Sequence, residues 1–293
     1  MSPIDSTALP EVLRLERIDD TRFALPQVGD GTTRDVVFGG QILAQMIVAS
    51  SLADAGGDKE VKSIQCIFAR AANFQSPLEL RIDRMHGGRT FASDTITLWQ
   101  GDRLCARALV LLHVDEPDLL HHGPEMPAVP GPLEAPDGST HGLVFPGADV
   151  RVVGGVNPWD PAEPVGPAEM YVWTRYPGAP DGVAANQAIL SWATDGYLIG
   201  ASMRPYPDVN EYQAHRSIST GVVAHSLHFH NRFDAGDWLL LAHDVTWAGR
   251  GVIHGRALVF DQGGILVASF TQDAMVRHFG DGADHAADYH SIM

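Results

Sequence analysis

The chain contains two segments in which a long apolar run is followed by several shorter alternating ones. In the first segment, the apolar run 42–50 follows Phe38-Gly39-Gly40-Gln41 and has the length and composition of a buried helix. A candidate first strand, 16–23, precedes it. The stretches after it alternate or run apolar between glycine turns, as strands do: 62–68, 78–85, 89–100 and 103–113. This order predicts one helix wrapped by an antiparallel meander.

The second segment repeats this order. Residues 170–175 have the pattern of a strand and 186–199 that of a helix. Further strand patterns follow at 222–230, 238–247, 251–260 and 265–275. The turn around 99–106 also aligns with the turn around 261–268, so an internal duplication explains both halves. The sequence therefore predicts an α+β fold with two tandem repeats, 1–114 and 169–293, whose open sheet edges pair with each other.

The segment between the repeats, 115–168, differs in character. More than half of the 19 prolines fall here, among glycines and acidic residues. Such a composition predicts a linker or surface excursion. The pair His121-His122 lies inside it, and we interpret it as part of a solvated loop.

The predicted second helix carries one carboxylate, Asp195, at the edge of an apolar stripe. That stripe consists of Ile189, Trp192, Ala193 and Ile199. A carboxylate among apolar side chains is costly unless it is bonded or used, and enzymes exploit this to hold a base ready. An exposed position on the outer helix face is the other interpretation of this window.

The duplication makes the polar differences between the halves informative. Asp195 aligns with Ala49, and Gln272, inside a predicted strand, aligns with Val110. The second half thus places an acid and an amide where the first half has apolar residues. Because buried polar groups are retained where they are bonded or used, we expect one shared site, with residues 38–41 of the first half as its facing wall.

Composition narrows the classes of partner. The net charge of −16 argues against nucleic acid or an anionic membrane surface, which both require a basic face. No apolar run approaches the length of a membrane span, and the first residues lack a secretion signal, so we expect a cytoplasmic protein without membrane insertion. Cys66 and Cys105 lie in apolar runs and are expected to be buried, reduced thiols.

Several motifs, taken in order, resemble the type II acyl-CoA thioesterases of bacteria and peroxisomes. They are VFGGQILAQ (37–45), HSLHFH with NRF (225–233), DWLLL (237–241), RGVIHGRALVFDQGGILVAS (250–269) and TQDAMVR (271–277). The resemblance covers about 21–277 without most of the Pro-rich segment. It implies a double hotdog fold and hydrolysis of fatty acyl-CoA to a free fatty acid and CoA.

In that family an Asp on the second hotdog helix, a Thr or Ser on the next strand and a Gln on the last strand hold the attacking water. Asp195 and Gln272 match the first and third. The hydroxyl position is occupied by Val222, and Thr220 would share its strand face. Either Thr220 substitutes after a local shift, or the protein uses a two-residue site or is a slow enzyme.

The resemblance also implies how substrate is bound. Backbone N–H groups around Gly40-Gln41, in the Phe38-Gly39-Gly40-Gln41 turn, would hold the oxyanion. Surface arginines would hold the CoA phosphates, with Arg70, Arg204 and Arg232 as candidates. Neither a cofactor, a metal nor a covalent nucleophile is required, and open sheet edges favour a homo-oligomer.

Three alternatives stay open at this point. A non-catalytic acyl-CoA-binding protein is motivated by Val222. An enoyl-CoA hydratase would need a His near Asp195, and none lies within a helical turn of it. A metal site could use His225, His228, His230 and Asp234, but no second cluster completes a ligand set.

Overall fold

The computed structural model describes residues 8–28, 35–54, 56, 58–138 and 145–279. The helices are α1 (Gly39–Ala53), α2 (Val183–Thr194) and the short α3 (Leu198–Met203). The strands of the first half are β1 (Glu16–Arg17), β2 (Arg22–Ala24), β3 (Lys59–Phe68), β4 (Leu78–Gly87), β5 (Phe91–Gln100) and β6 (Arg103–Val114). Those of the second half are β7 (Asp149–Val152), β8 (Glu169–Arg175), β9 (Ile218–Phe229), β10 (Leu239–Gly249), β11 (Val252–Asp261) and β12 (Leu266–His278).

All of these strands form one antiparallel sheet in the order β1-β2-β4-β5-β6-β3-β9-β12-β11-β10-β8-β7. The order is palindromic, because each strand of the first half has a counterpart at the same distance from the centre. The centre is the β3–β9 pair, in which Ser63 lies opposite His228 and Ile67 opposite Ala224. The edge-to-edge joining of two helix-wrapped sheets is therefore confirmed, and with it the double hotdog architecture.

The two long helices lie side by side against this sheet and bury most of their side chains. Their contact is close at Gly40, where an added Cβ would lie 2.5 Å from the carbonyl oxygen of Trp192. Only glycine permits the backbones to approach this far. The beginning of α1 is thereby held against the end of α2.

The prediction of one continuous helix over 186–199 was wrong. α2 ends at Thr194, Asp195 is its C-cap, and α3 begins only at Leu198. Tyr197, the N-cap of α3, has a φ of 59°, a left-handed conformation that separates the two helices. The residues of both helices pack into the core, so the apolar periodicity continues across the break. The sequence pattern therefore does not reveal where α2 ends. Asp195 consequently lies at a helix end.

The Pro-rich segment 115–168 is more than a linker. It contains β7, which pairs with β8 through Asp149 and Arg175 and forms the outermost strand of the sheet. His121 and His122 are exposed, and the thiols of Cys66 and Cys105 are buried and free. The sequence after residue 278 is polar, and its residues 280–293 lie outside the described part of the chain.

Candidate active site

Asp195 and Gln272 are in direct contact. The amide nitrogen Nε2 of Gln272 donates a hydrogen bond of 3.0 Å to Oδ1 of Asp195, and the two residues are 6% and 1% exposed. Asp195 is positioned by the end of α2 and Gln272 by the interior of β12. The geometry therefore brings together an acid and an amide that lie 77 positions apart in sequence.

Gln272 belongs to a polar row that crosses three strands. Its neighbour on β9 is His225, whose neighbour on β3 is Cys66. In the corresponding row of the palindromic sheet, Val110 lies opposite Ile64 and Ile64 lies opposite Leu227. The row through Gln272 is polar, whereas the equivalent row through Val110 is apolar. Within the described residues, the duplicated fold therefore has one acid–amide pair like that of Asp195 and Gln272.

His225 is part of the site, although the sequence pattern indicated only a possible metal ligand at this position. It is 1% exposed, and its Nδ1 lies 3.2 Å from Nε2 of Gln272 and 3.6 Å from Oδ1 of Asp195. Its Nε2 lies 3.1 Å from the hydroxyl oxygen of Thr194, at the end of α2. The available signal was the alternation of residues 225, 227 and 229, which places His225 on the buried face.

A cavity of about 150 Å³ opens beside Asp195. It lies between the beginning of α1, the end of β3 and the beginning of β9. Among the residues named from the sequence, its lining includes Phe38, Gly39, Arg70, Asp195, Thr220 and Val222.

The other sequence-predicted binding residues lie outside this cavity. The buried side chain of Gln41 donates to the carbonyl oxygen of Val28 at 3.0 Å, because its helix position points away from Asp195. Gly40 faces Trp192 of α2. Arg232 pairs with Glu60 in a different cleft, and Arg204 donates to the backbone of Glu169. Of the three candidate arginines, Arg70 is the one that reaches the site.

The N-terminus of α1 faces the carboxylate of Asp195. A Cβ on Gly39 would lie 2.5 Å from Oδ2 of Asp195. Phe38, the N-cap, provides no side-chain acceptor, and the first turn contains no acidic residue. The partial positive charge of this helix end therefore acts on the site. It offsets the partial negative charge that the end of α2 places beside Asp195.

Two further groups near the site are unsuited to nucleophilic attack. Burial, followed by the charge of Asp195, raises the pKa of the Cys66 thiol, so the thiolate is not available at neutral pH. Burial also raises the pKa of the Tyr197 hydroxyl. A covalent nucleophile at either position would need the charged form that its surroundings disfavour.

The metal alternative finds no support in the geometry. His225 points to the buried side of the sheet, whereas His228, three positions later, lies on the opposite face. Over the described ranges, no group of three or more His, Cys, Asp or Glu side chains could hold a metal ion. In the same ranges, no helix has both the length and the apolarity that crossing a bilayer requires.

Comparison with known proteins agrees with this geometry. Residues 29–113 match the acyl-CoA thioesterase N-terminal domain, and residues 123–276 match the acyl-CoA thioesterase C-terminal domain. Human acyl-coenzyme A thioesterase 8 is 26% identical, over 93% of this chain and 89% of its own. Acyl-CoA thioesterase 2 of Haemophilus influenzae is 25% identical, over 92% of this chain and 96% of its own.

A solved structure extends the similarity to the fold. The acyl-CoA thioesterase II of Mycobacterium marinum superposes with a TM-score of 0.75 at 23% identity, over 92% of this chain and 98% of its own. The two domain matches follow each other in order and together cover most of the chain. The chain therefore belongs to the acyl-CoA thioesterase family and is a thioester hydrolase with a double hotdog fold.

Proposed function

We propose that this chain hydrolyses fatty acyl-CoA thioesters in the cavity beside Asp195, by direct attack of a water molecule held by Asp195 and Gln272. The observation that supports this most strongly is the buried hydrogen bond from Gln272 to Asp195, because Asp195 lines a cavity that the N-terminus of α1 also lines. The bond holds the carboxylate in place, and Oδ2 is left to act on a water molecule.

In the proposed reaction, Asp195 takes a proton from the water as its oxygen attacks the thioester carbonyl carbon. The carbonyl oxygen becomes an oxyanion in a tetrahedral intermediate. Its collapse breaks the carbon–sulfur bond and releases the CoA thiolate, which takes up a proton. The products are the free fatty acid and CoA, and neither a cofactor nor a metal enters any step.

The beginning of α1 is the proposed oxyanion site. Backbone N–H groups of the uncapped first turn point towards its beginning, where Gly39 lines the cavity beside the carboxylate that activates the water. Donors placed where negative charge develops stabilise the transition state more than the ground state. Gln41 would contribute only its backbone, since its side chain is bonded elsewhere.

Substrate binding is proposed to use the remaining walls of the cavity. Phe38, Val222 and the neighbouring apolar side chains would hold the acyl chain near the thioester. Arg70 is exposed, is anchored to the carbonyl oxygen of Leu104 at 3.0 Å, and lies at the cavity. It is therefore placed to attract a phosphate group of CoA. Thr220, which is buried and lines the same cavity, is the proposed hydroxyl of the site.

The protein is further proposed to form a homo-oligomer through the outer face of its sheet. Leu109, Leu111 and Phe91 point away from the helices on neighbouring strands and are 47%, 37% and 45% exposed. Ile67, on the central strand β3, is 57% exposed on the same face. A second copy would bury these side chains. Leu109→Lys should reduce the mass measured by light scattering, whereas Leu119→Lys, at a 94% exposed loop position, should not.

Domain boundaries at 114 and 168 and a cytoplasmic location remain part of the proposal. The central β3–β9 pairing supports a division into two halves. The pairing of β7 with β8 extends the second half into the Pro-rich segment. The free thiols of Cys66 and Cys105 are those expected in a reducing compartment.

Release of CoA tests the proposed function. Purified protein should liberate free thiol from acyl-CoA substrates of short, medium and long chain, as measured with a thiol reagent. The length that gives the highest kcat/KM identifies the substrate range. Binding of acyl-CoA by calorimetry without any thiol release would instead identify a non-catalytic binding protein and would refute the proposal.

A further inference from the structure

We propose that His225 is a positioning residue that fixes the orientation of the Gln272 amide, and that it does so as the neutral tautomer with its proton on Nε2. The role of the amide in hydrolysis rests on the proposed function, but the tautomer follows from the hydrogen bonds alone. Neither the family match nor the sequence motifs assign His225 a task.

The orientation of the amide begins at Asp195. Oδ1 of the ionised carboxylate can only accept, so the group of Gln272 that lies 3.0 Å from it must be the donor Nε2. The reverse orientation would place two acceptor oxygens against each other in a buried site. Such a contact is strongly unfavourable where water cannot screen it.

The orientation of the amide then determines the proton on His225. The second hydrogen of Gln272 Nε2 is directed at His225 Nδ1, 3.2 Å away. Nδ1 must accept this bond, so the ring proton of the neutral imidazole is on Nε2. Nε2 lies 3.1 Å from the hydroxyl oxygen of Thr194, which can accept it because the Thr194 hydroxyl itself donates to the carbonyl oxygen of Ser191 at 2.8 Å.

The ring is held firmly enough to act in this way. His225 lies between Gln272 of β12 and Cys66 of β3 in the sheet register, and its ring stacks on Phe270 with centroids 5.2 Å apart. A fixed ring gives the amide a fixed partner. The network therefore runs without conflict from Ser191 through Thr194, His225 and Gln272 to Asp195.

The fixed orientation of the Gln272 amide determines which of its polar atoms can face a water molecule. Both hydrogens of Gln272 Nε2 are used, and Oε1 is its remaining, buried and unpartnered acceptor among the described residues. A water molecule held between Oε1 and Asp195 would donate both of its hydrogens and direct a lone pair at the thioester carbon. If the amide were free to rotate, Nε2 would face that water as a donor, and the water would lose the acceptor that orients its second hydrogen.

A matched pair of substitutions separates positioning from packing. In His225→Asn the amide oxygen can occupy the position of Nδ1 and accept from Gln272, whereas the longer side chain of His225→Gln reaches only the position of Nε2. We expect His225→Gln to lower kcat about tenfold more than His225→Asn, with KM little changed. If the ring only fills space, the smaller Asn should be the worse replacement, and that order would refute the proposal.

A second pair keeps the test valid if the His225 variants fold poorly. Thr194→Val has the shape of threonine but removes the acceptor for Nε2–H, whereas Thr194→Ser retains it. Thr194→Val should lower kcat and Thr194→Ser should largely restore it. Equal activity of the two Thr194 variants would contradict a role of this hydroxyl in the network.

The tautomer can be measured without any substrate. Nitrogen-15 spectra of histidine-labelled protein distinguish a protonated ring nitrogen from an unprotonated one, and His225→Asn identifies the signal. We expect Nε2 to be protonated and Nδ1 unprotonated at neutral pH. A proton on Nδ1 would overturn the inference, whatever the outcome for thiol release, whereas absent thiol release with the expected tautomer would count against the proposed function alone.

Discussion

A Cβ placed on Gly39 would lie 2.5 Å from Oδ2 of Asp195, closer than side chains approach in folded proteins. The N-terminus of α1, from the first half of the chain, therefore touches the carboxylate at the end of α2, from the second half. The same contact places the positive end of one helix at the group that activates water in our account. The site thus depends on how closely the two helices approach.

This closeness predicts different consequences for adjacent glycines. Gly39→Ala should displace the carboxylate of Asp195 and lower kcat about 100-fold, because small misplacements of reacting groups are costly. Its effect on the melting temperature should be smaller than that of Gly40→Ala. Steady-state thiol release and thermal unfolding of both variants provide the measurement.

Gly40→Ala should act mainly on stability. Its Cβ would lie 2.5 Å from the carbonyl oxygen of Trp192, so the helices must separate, at a cost of about 2 kcal/mol in the free energy of unfolding. Gly87→Ala is the control, since an added Cβ there meets nothing within 4 Å. An inactive Gly87→Ala, or a fully active Gly39→Ala, would contradict this assignment.

The hydroxyl of the site provides a second prediction. Thr220 and Val222 lie opposite Val276 and Ala274 of β12, two positions apart on one strand face, and both line the cavity. Thr220→Val should lower kcat about tenfold if its hydroxyl contacts the water or substrate. Val222→Thr should raise kcat, or restore part of what Thr220→Val loses. If kcat changes in neither variant, the catalytic site consists of Asp195 and Gln272 without a hydroxyl group.

Much of the fold follows from patterns that are local in sequence. The strands around residues 80 and 96 alternate so regularly that their burial could be predicted from period two alone. The run 108–112 is apolar throughout, so the exposure of Leu109 and Leu111 could not be predicted in this way. The alignment of Asp195 with Ala49 and of Gln272 with Val110 needed only the duplication. In both alignments a polar residue of the second half replaces an apolar residue of the first half. This difference made the acid–amide pair predictable.

The remainder depended on backbone irregularities that leave no periodic signal. Val223 is an extra residue in β9 where its pairing with β12 shifts register, so His225 and Val222 share a face although they are three positions apart. The left-handed Tyr197 separates α2 from α3 within an apolar pattern that continues. The proximity of His225 to Asp195 arises from the register between strands, which is set by tertiary packing.

Stability should depend on pH through His243. This residue is buried, its Nδ1 donates to the carbonyl oxygen of Met170 at 3.2 Å, and desolvation lowers its pKa from 6.5 to about 4. As pH falls from 6.5 to about 4, the unfolded chain binds this proton before the folded one does. The free energy of unfolding should therefore decrease across that window, by on the order of 3 kcal/mol from this group.

The measurement is denaturant unfolding of wild type and His243→Asn at several pH values between 4 and 7. Asparagine can retain the donor to Met170 but cannot titrate. The decline towards low pH should be shallower in the variant than in wild type. Parallel curves for the two proteins would show that His243 does not carry the effect.

The turnover of Asp195→Asn, compared with that of Asp54→Asn, tests the central claim most directly. Asp54 is the buried C-cap of α1 as Asp195 is of α2, but its carboxylate faces Arg84 at 3.6 Å, away from the cavity. With both variants folded and both binding acyl-CoA, Asp195→Asn should lose about a thousandfold in kcat, while Asp54→Asn stays close to wild type. An Asp195→Asn enzyme that turns over like wild type, or an equal loss in the two variants, would contradict water activation by Asp195.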